Sequence, residues 1–145
     1  MRAYRFSLET VMRIRLLEER LARERLLEAS RDVRRARDAF VAADASLSEL
    51  TLATEPTSIG HLRWVADQAE RLAGERRATR DALAGSRDAR EIASRAWVIA
   101  RRRAEVLERL RAEGVARWRD DLRREESAEL DDLATIRHGV LAVTS

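Results

Sequence analysis

Two histidines, His61 and His138, are the only imidazole side chains that this sequence could use as general bases or metal ligands. They fall near opposite ends of one long helical segment, too far apart to share a metal ion, so we interpret them as surface or capping groups. The acid pair Asp131 and Asp132 has the side-chain types of a general acid and base, but a pair of long helices offers it no enclosed site. The sequence therefore predicts no enzyme activity, no metal site and no cofactor.

Missing residue types exclude further chemistry. All 29 basic residues are Arg, and the chain has neither Lys nor Cys. A P-loop and a Schiff-base enzyme both need a Lys, and thiolate zinc sites, disulfides and Cys nucleophiles need Cys. The longest stretch free of Asp, Glu and Arg is the eight residues 138–145, far short of the roughly 20 that span a bilayer. We expect a soluble, intracellular protein with no membrane insertion.

The longest basic run, Arg101 to Arg103, lies beside Trp97 and has residue types that can grip phosphates and stack a base. The 29 basic residues are nevertheless balanced by 26 acidic ones, for a net charge of +3. Because a phosphate-tracking surface needs a net basic face over a longer span, we expect no nucleic-acid partner. An Arg-rich nucleic-acid-binding coiled coil stays the alternative from another functional class.

The elements that would position these residues are two helices. Ser7, a possible N-cap, begins a helix predicted to run over residues 7–54. One heptad position holds Glu19 and five large apolar residues, and the position three residues later holds mainly alanine, which lets two backbones approach closely. The first set is Met12, Leu26, Val33, Phe40 and Leu47, and the second is Ala22, Ala29, Ala36, Ala43 and Leu50. This repeat predicts an antiparallel partner helix from the same chain.

Pro56 marks the one strong break, so we predict a turn at 55–58 with Thr57 or Ser58 as the cap of a second helix, 59–137, and a frayed tail at 138–145. Gly74, Gly85 and Gly114 are candidate kinks. The apolar stripe of the second helix is predicted to weaken between positions 76 and 86. Its members are Leu62, Val65, Ala69, Leu72, Ala89, Ile92, Ala96, Ile99, Val106 and Leu110. The predicted fold is all-α, one antiparallel coiled-coil hairpin domain over residues 1–145.

The second helix is longer than the first and should overhang it. If the helices pair outward from the turn, residues beyond about Leu107 extend past the first helix and expose an apolar stripe, which favours a binding partner. The stripe includes Val115, Trp118, Leu122, Leu130 and Leu133. Trp118 and Leu122 are candidate partner contacts, since Trp is enriched at interface hot spots. Trp97 is predicted instead to pack in the seam.

Charge is uneven along this end of the second helix. Residues 101–124 hold nine Arg and five acids, whereas residues 125–136 hold five acids and no base. A basic collar followed by an acidic band is a pattern that can orient a rod in a charged socket.

Both ends of the chain carry recognisable motifs. The opening helix has Phe6, Leu8, Val11 and Arg15, with Met12 where a Leu would be expected. The end of the second helix has a motif of acidic residues around a leucine and an alanine, formed by Glu126, Leu130, Asp131, Asp132 and Ala134. Together these stretches resemble the opening and closing motifs of the flagellar export protein FliJ family.

The resemblance implies a non-enzymatic coiled-coil stalk of the flagellar type III protein export apparatus. Its terminal end would enter the hexameric export ATPase, while other surfaces would contact the cytosolic region of the export gate protein and the export chaperones. It also implies a role in flagellum biogenesis and motility, and a cytoplasmic location with peripheral association at the basal body on the inner membrane.

By matching motif positions, the resemblance assigns two sets of contacts. The ring-facing candidates are Arg13, Arg15, Arg123, Arg124, Glu126, Asp131 and Asp132. The gate-facing candidates, early in the second helix, are Trp64, Val65, Gln68 and Leu72. Two further alternatives stay open: the equivalent stalk of a virulence type III secretion system, and a homo-oligomeric structural coiled coil with no ATPase partner.

Overall fold

The structure, a computed structural model, describes residues 3–53 and 55–143, and these form an all-α helical hairpin. Helix α1 spans Glu9–Ala53 and helix α2 spans Ile59–Val143. The helix expected from Ser7 starts two residues later, because residues 7 and 8 form a turn in which the Glu9 N–H donates to the Phe6 carbonyl at 3.1 Å. The expected helix end at Arg137 is wrong, since α2 continues to Val143. Thr54 and the last two residues of the predicted tail lie outside the described residues.

Ser58 caps α2, as the sequence suggested. Its side-chain oxygen accepts the backbone N–H of His61 at 3.1 Å, and its carbonyl accepts the N–H of Leu62 at 2.9 Å. The first bond satisfies a backbone donor that has no partner within the helix, and the second is the first i to i+4 bond of α2. The segment 55–58, which contains Pro56, therefore ends one helix and starts the next.

The contacts divide the chain into two compact units. The hairpin unit is Leu17–Arg101, and the terminal unit is formed by the described residues of 1–16 and 102–145. In the hairpin unit, the α1 seam is confirmed: Ala22 and Ala43 are buried. The large residues predicted for the same seam are half-buried, namely Leu26, Val33, Phe40 and Leu47.

The α2 seam follows a different register from the predicted one after Ser86. Leu83 is buried and Ala93, Trp97 and Ala100 are half-buried. Among the residues predicted for this seam, Val65, Ala69 and Leu72 are half-buried as expected. The others predicted for it in the hairpin unit are exposed, namely Leu62, Ala89, Ile92, Ala96 and Ile99. The observed register continues the heptad of Val65 and Leu72 without interruption, and it places Ala93 and Ala100 against α1 where Ile92 and Ile99 had been predicted.

Two polar contacts in the hairpin unit explain the irregular seam positions. Glu19, the one charged residue in the α1 repeat, accepts a hydrogen bond from the indole Nε1–H of Trp97 at 2.9 Å. Arg76 forms an ion pair with Asp44, and its guanidinium carbon lies 5.6 Å from the centroid of the Phe40 ring. Charged groups in the seam are therefore tolerated because each has a partner on the opposite helix.

The terminal unit has its own small core. Met12 of α1 is 4% exposed and Ala104 of α2 is 3% exposed. Arg111 approaches Glu9 across the helix pair at 3.8 Å. Val106 and Leu110, which the sequence placed in the seam, are exposed because the seam passes through Ala104 and Leu107.

Candidate functional site

The segment that precedes α1 folds back on α2 within the terminal unit. The ring centroids of Tyr4 and Trp118 lie 6.3 Å apart, with a tilt of 50° between the ring planes. Gly114 provides the space, because a Cβ built on it would lie 2.9 Å from Tyr4 Cζ and closer still to the hydroxyl oxygen. Gly114 therefore leaves the space in which the Tyr4 ring packs against α2, and the helix continues on both sides of this residue.

Because Tyr4 covers this part of α2, the uncovered apolar stripe begins further along the helix than predicted. Val115, Trp118 and Leu122 are half-buried, so the prediction that they extend bare beyond about Leu107 is wrong. Tyr4 lies before the first residue of α1 and covers part of α2 that the helix alone leaves bare. The sequence motif contained Tyr4, but only the folded chain shows that it reaches Trp118.

Beyond Leu122, none of the described residues of the terminal unit covers α2, and residues 123–139 are all exposed. Leu130, Leu133 and Ile136 are 67%, 63% and 63% exposed. At 100° per residue these three side chains fall within one third of the helix circumference. Leu130 and Leu133 also line a shallow groove with Ala134, Arg137 and His138. The uncovered segment, residues 123–139, thus presents an apolar face of a kind that proteins normally cover with a partner.

The acidic residues predicted to face a ring lie on this same segment. Glu126, Asp131 and Asp132 are exposed, and no ion pair to them is formed within the part of the chain that the structure describes. Their carboxylate oxygens are accordingly open to an external cation. Apolar and acidic groups are interleaved over residues 125–136, so a complementary surface must combine apolar and basic groups.

The predicted basic contacts behave differently from the acids, because three of them are held by near neighbours on their own helix. Arg13 pairs with Glu9 at 3.6 Å, and the other two pairs are those of Arg123 with Asp120 at 2.5 Å and Arg124 with Asp121 at 3.6 Å. All three guanidinium groups are mostly exposed, so these pairs add little stability. A partner's carboxylates could replace them at low cost.

A groove that the sequence did not indicate lies between the two helices of the terminal unit. Met12 and Leu16 of α1 line one side, and Arg111, Val115 and Arg119 of α2 line the other. It combines an apolar floor with the guanidinium groups of Arg111 and Arg119 and the carboxylate of Glu108. Because the lining residues come from two helices, their proximity appears only after pairing, and no spacing within one helix could reveal it.

The four predicted gate-contact residues, all in the hairpin unit, are split between two environments. Trp64 is 54% exposed and its ring stacks on that of His61, with centroids 5.9 Å apart. Val65 and Leu72 are half-buried as members of the α2 seam. The side-chain oxygen of Gln68 accepts hydrogen bonds from Arg71 at 3.2 and 2.8 Å. Trp64 is the member of the set with the largest accessible surface.

Neither helix, over the part of the chain that the structure describes, contains a segment with the length and hydropathy of a membrane span.

The fold and the uncovered segment of α2 define a class of protein: an all-α helical hairpin whose longer helix carries an exposed apolar and acidic segment. Residues 4–140 match the family model described as Flagellar FliJ protein, and this chain belongs to that family. No curated protein and no solved structure gives a significant match.

Proposed function

We propose that this protein is a non-enzymatic stalk and coupling factor of the flagellar type III export apparatus, whose terminal unit inserts into the ring of the hexameric export ATPase. The observation that carries the proposal is the uncovered segment at residues 123–139, in a chain that belongs to the flagellar FliJ family over residues 4–140. A stalk needs a rigid helix end with one side free to contact the inside of a ring. ATP hydrolysis is then the task of the ring, and the stalk needs no catalytic residue.

The chemistry of the segment specifies the socket. Five acids and no base occur at residues 125–136, interleaved with Leu130, Leu133 and Ile136. The ring surface that receives them must therefore supply Arg or Lys next to an apolar patch. Buried apolar contacts would provide the affinity, and the charge pairs would provide the orientation and the rate of encounter.

The two neighbouring surfaces of the terminal unit fit the same role. The groove between Met12 and Arg119 can receive a side chain from a ring subunit. Arg123 and Arg124 lie at the base of the uncovered segment and Arg13 lies on α1 of the same unit, and each has an exposed ion pair that a partner can replace. Arg15, half-buried on α1, belongs to the same proposed contact set.

Trp64 carries the proposed contact with the cytosolic region of the export gate protein, and Gln68 lies one turn further along the same flank of α2. Val65 and Leu72 contribute through the edge of the seam, because each is half-buried rather than enclosed. Export chaperones are the third proposed class of partner. Association with the basal body at the inner membrane would follow from these protein contacts.

A pull-down with the purified export ATPase of the same organism tests the proposal. The informative variant changes Leu130, Leu133 and Ile136 together to alanine, because these side chains are mostly exposed and their loss should leave the fold intact. A control variant changes three exposed residues of the hairpin unit to alanine, namely Leu21, Leu27 and Val41. We expect the first variant to lose about tenfold or more in affinity for the ATPase and the control to bind like the wild type.

ATPase activity provides a second measurement. Addition of the wild-type protein should increase ATP hydrolysis or ring assembly by the export ATPase, and the triple-alanine variant of the uncovered segment should not. Wild-type affinity in that variant would move the contact away from the end of α2. Absence of any binding by the wild-type protein would refute the stalk function and favour the structural or nucleic-acid alternatives.

The flagellar family description favours a flagellar over a virulence export system. Binding to the flagellar ATPase but not to a virulence-type ATPase is the expected result.

A further inference from the structure

A second heptad-spaced apolar row runs along α2 of the hairpin unit, on a side that α1 does not cover. Ile92 is 69% exposed and Ile99 is 51% exposed. At 100° per residue these two side chains share a narrow stripe with Gly85, Ala89 and Ala96, and these three small residues are exposed as well. We call this row the outer stripe. Its centre is displaced by about 110° around α2 from the seam with α1.

The outer stripe is arranged symmetrically about Ile92. Gly85 lies seven residues before Ile92 and Ile99 lies seven residues after it. Ala89 and Ala96 lie at similar distances on either side. In an antiparallel pair of identical helices centred on Ile92, each Ile99 would face the partner copy's glycine position, and each Ala89 would face an alanine. The two Ile92 side chains then meet at the centre, and each Ile99 meets a small residue, which allows interdigitated packing.

The space that this packing needs is present at Gly85. A Cβ built on this glycine meets nothing within 4 Å, so the surface there is open. A glycine in an exposed helix interior costs about 1 kcal/mol relative to alanine. An approaching isoleucine side chain gives that glycine a packing role that the isolated hairpin does not.

Charges along the edge of the stripe have the same symmetry. Asp88 and Arg95 lie next to the outer stripe on its solvent side, four residues before and three residues after Ile92. Antiparallel pairing about Ile92 places each Asp88 opposite the other copy's arginine, giving two reciprocal ion pairs. Arg95 bonds Glu91 through its Nε at 3.1 Å, so its terminal nitrogens keep donors for a second carboxylate. Asp88 has no ion pair within the described residues.

We propose that the occupant of the outer stripe is a second copy of this chain, bound antiparallel about Ile92. The net charge of only +3 opposes such self-association weakly. One stripe of about four helical turns buries less than the roughly 1,200 Å² of a standard interface. The dimer is therefore weak and forms at high local concentration, as when several copies gather at one assembly.

Sedimentation velocity of the full chain over a concentration series tests the proposal. The wild type should shift from monomer to dimer as the concentration rises. Ile92→Arg should raise the dimer dissociation constant by about tenfold or more. The control is Val41→Arg, at a β-branched residue of α1 that is 57% exposed, and it should leave the dissociation constant unchanged. Gly85→Leu should also weaken the dimer, because it fills the space for the partner's isoleucine, while the matched change Gly74→Leu should leave it unchanged.

Charge reversal separates this dimer from non-specific association. Asp88→Arg alone and Arg95→Asp alone should each weaken the dimer, and the double variant should restore it, since acids and bases again face one another. The absence of cysteine in the chain allows a further check. Ile92→Cys should cross-link to its own copy with a short bismaleimide much faster than Val41→Cys does.

The proposal is overturned by a wild type that stays monomeric at every concentration, which would leave the stripe to a helix of another protein. It is equally overturned by a dimer that Ile92→Arg and the charge reversals do not affect while circular dichroism shows an unchanged helix content.

Discussion

Substitution of Gly114 by alanine tests whether the Tyr4 ring packs on α2 in solution as it does in the structure. In an exposed helix interior, glycine to alanine stabilises a helix by about 1 kcal/mol, because alanine loses less backbone freedom on folding. At Gly114 the new Cβ would approach Tyr4 Cζ to 2.9 Å, closer than side-chain carbons pack. The Tyr4 ring must therefore move away from Gly114, and the loss of its contacts opposes the gain in helix propensity.

The size of the loss follows from the contacts of the ring. The Tyr4–Trp118 pair, with centroids 6.3 Å apart and tilted by 50°, is of the kind that contributes about 0.5–1.5 kcal/mol beyond area burial. Displacement of a half-buried tyrosine ring adds part of the roughly 2 kcal/mol that full burial of such a side chain provides. We therefore expect Gly114→Ala to leave the stability unchanged or to lower it by up to about 1 kcal/mol.

The matched control is Gly74→Ala. A Cβ at Gly74 meets nothing within 4 Å, so this change should stabilise the protein by most of the 1 kcal/mol from helix propensity. The stronger comparison is a double-mutant cycle with Tyr4→Ala. With Tyr4→Ala no ring lies over Gly114, so Gly114→Ala should become stabilising, with a coupling free energy between the two changes of about 1–2 kcal/mol.

Urea unfolding followed by circular dichroism gives the global free energies, and native-state hydrogen exchange of the amides around Gly114 gives the local ones. The reasoning would be refuted if Gly114→Ala stabilised the wild type as much as Gly74→Ala does, or if Tyr4→Ala left the effect of Gly114→Ala unchanged. Either result would mean that the Tyr4 ring does not lie on the glycine in solution.

Two further predictions concern the seam between the helices. Trp97→Phe should cost about 1–2 kcal/mol in urea unfolding, because the half-buried carboxylate of Glu19 loses its donor. The double variant with Glu19→Leu should recover most of that loss, whereas additive losses would contradict a direct hydrogen bond. Ala43→Leu and Ala104→Leu should each cost about 1–3 kcal/mol by overpacking buried sites, while Ala45→Leu, exposed on α1, should stay within about 0.5 kcal/mol in the same thermal or urea unfolding experiment.

Local sequence signals predicted several elements of this fold correctly. Pro56 and Ser58 located the end of the turn, because proline cannot continue a helix and a serine hydroxyl satisfies a free backbone donor. The α1 seam followed from one heptad series in which large residues alternate with alanine, a pattern typical of close helix packing. Ala22 and Ala43 are buried as that pattern requires.

The sequence by itself left α2 ambiguous, because this helix carries two apolar rows at seven-residue spacing. One row contains Ile92 and Ile99, and hydrophobicity alone favours it, but the row with Ala93, Trp97 and Ala100 is the one that packs on α1. Small side chains permit close approach of the helices, and the indole N–H meets a carboxylate that lies 78 residues away in the sequence. A choice that depends on a partner so distant along the chain cannot be made from the spacing within one helix.

The candidate site divides in the same way. The sequence predicted the closing motif of α2, the acids of residues 125–136 and the exposure of Leu130 and Leu133. All of these lie on one continuous helix, and their exposure follows from its greater length. The tertiary structure decided where the bare part begins, since Tyr4 folds onto Gly114 and Trp118 from outside α1. Periodicity describes which residues of a helix share a side, whereas the identity of what covers that side depends on contacts between distant segments.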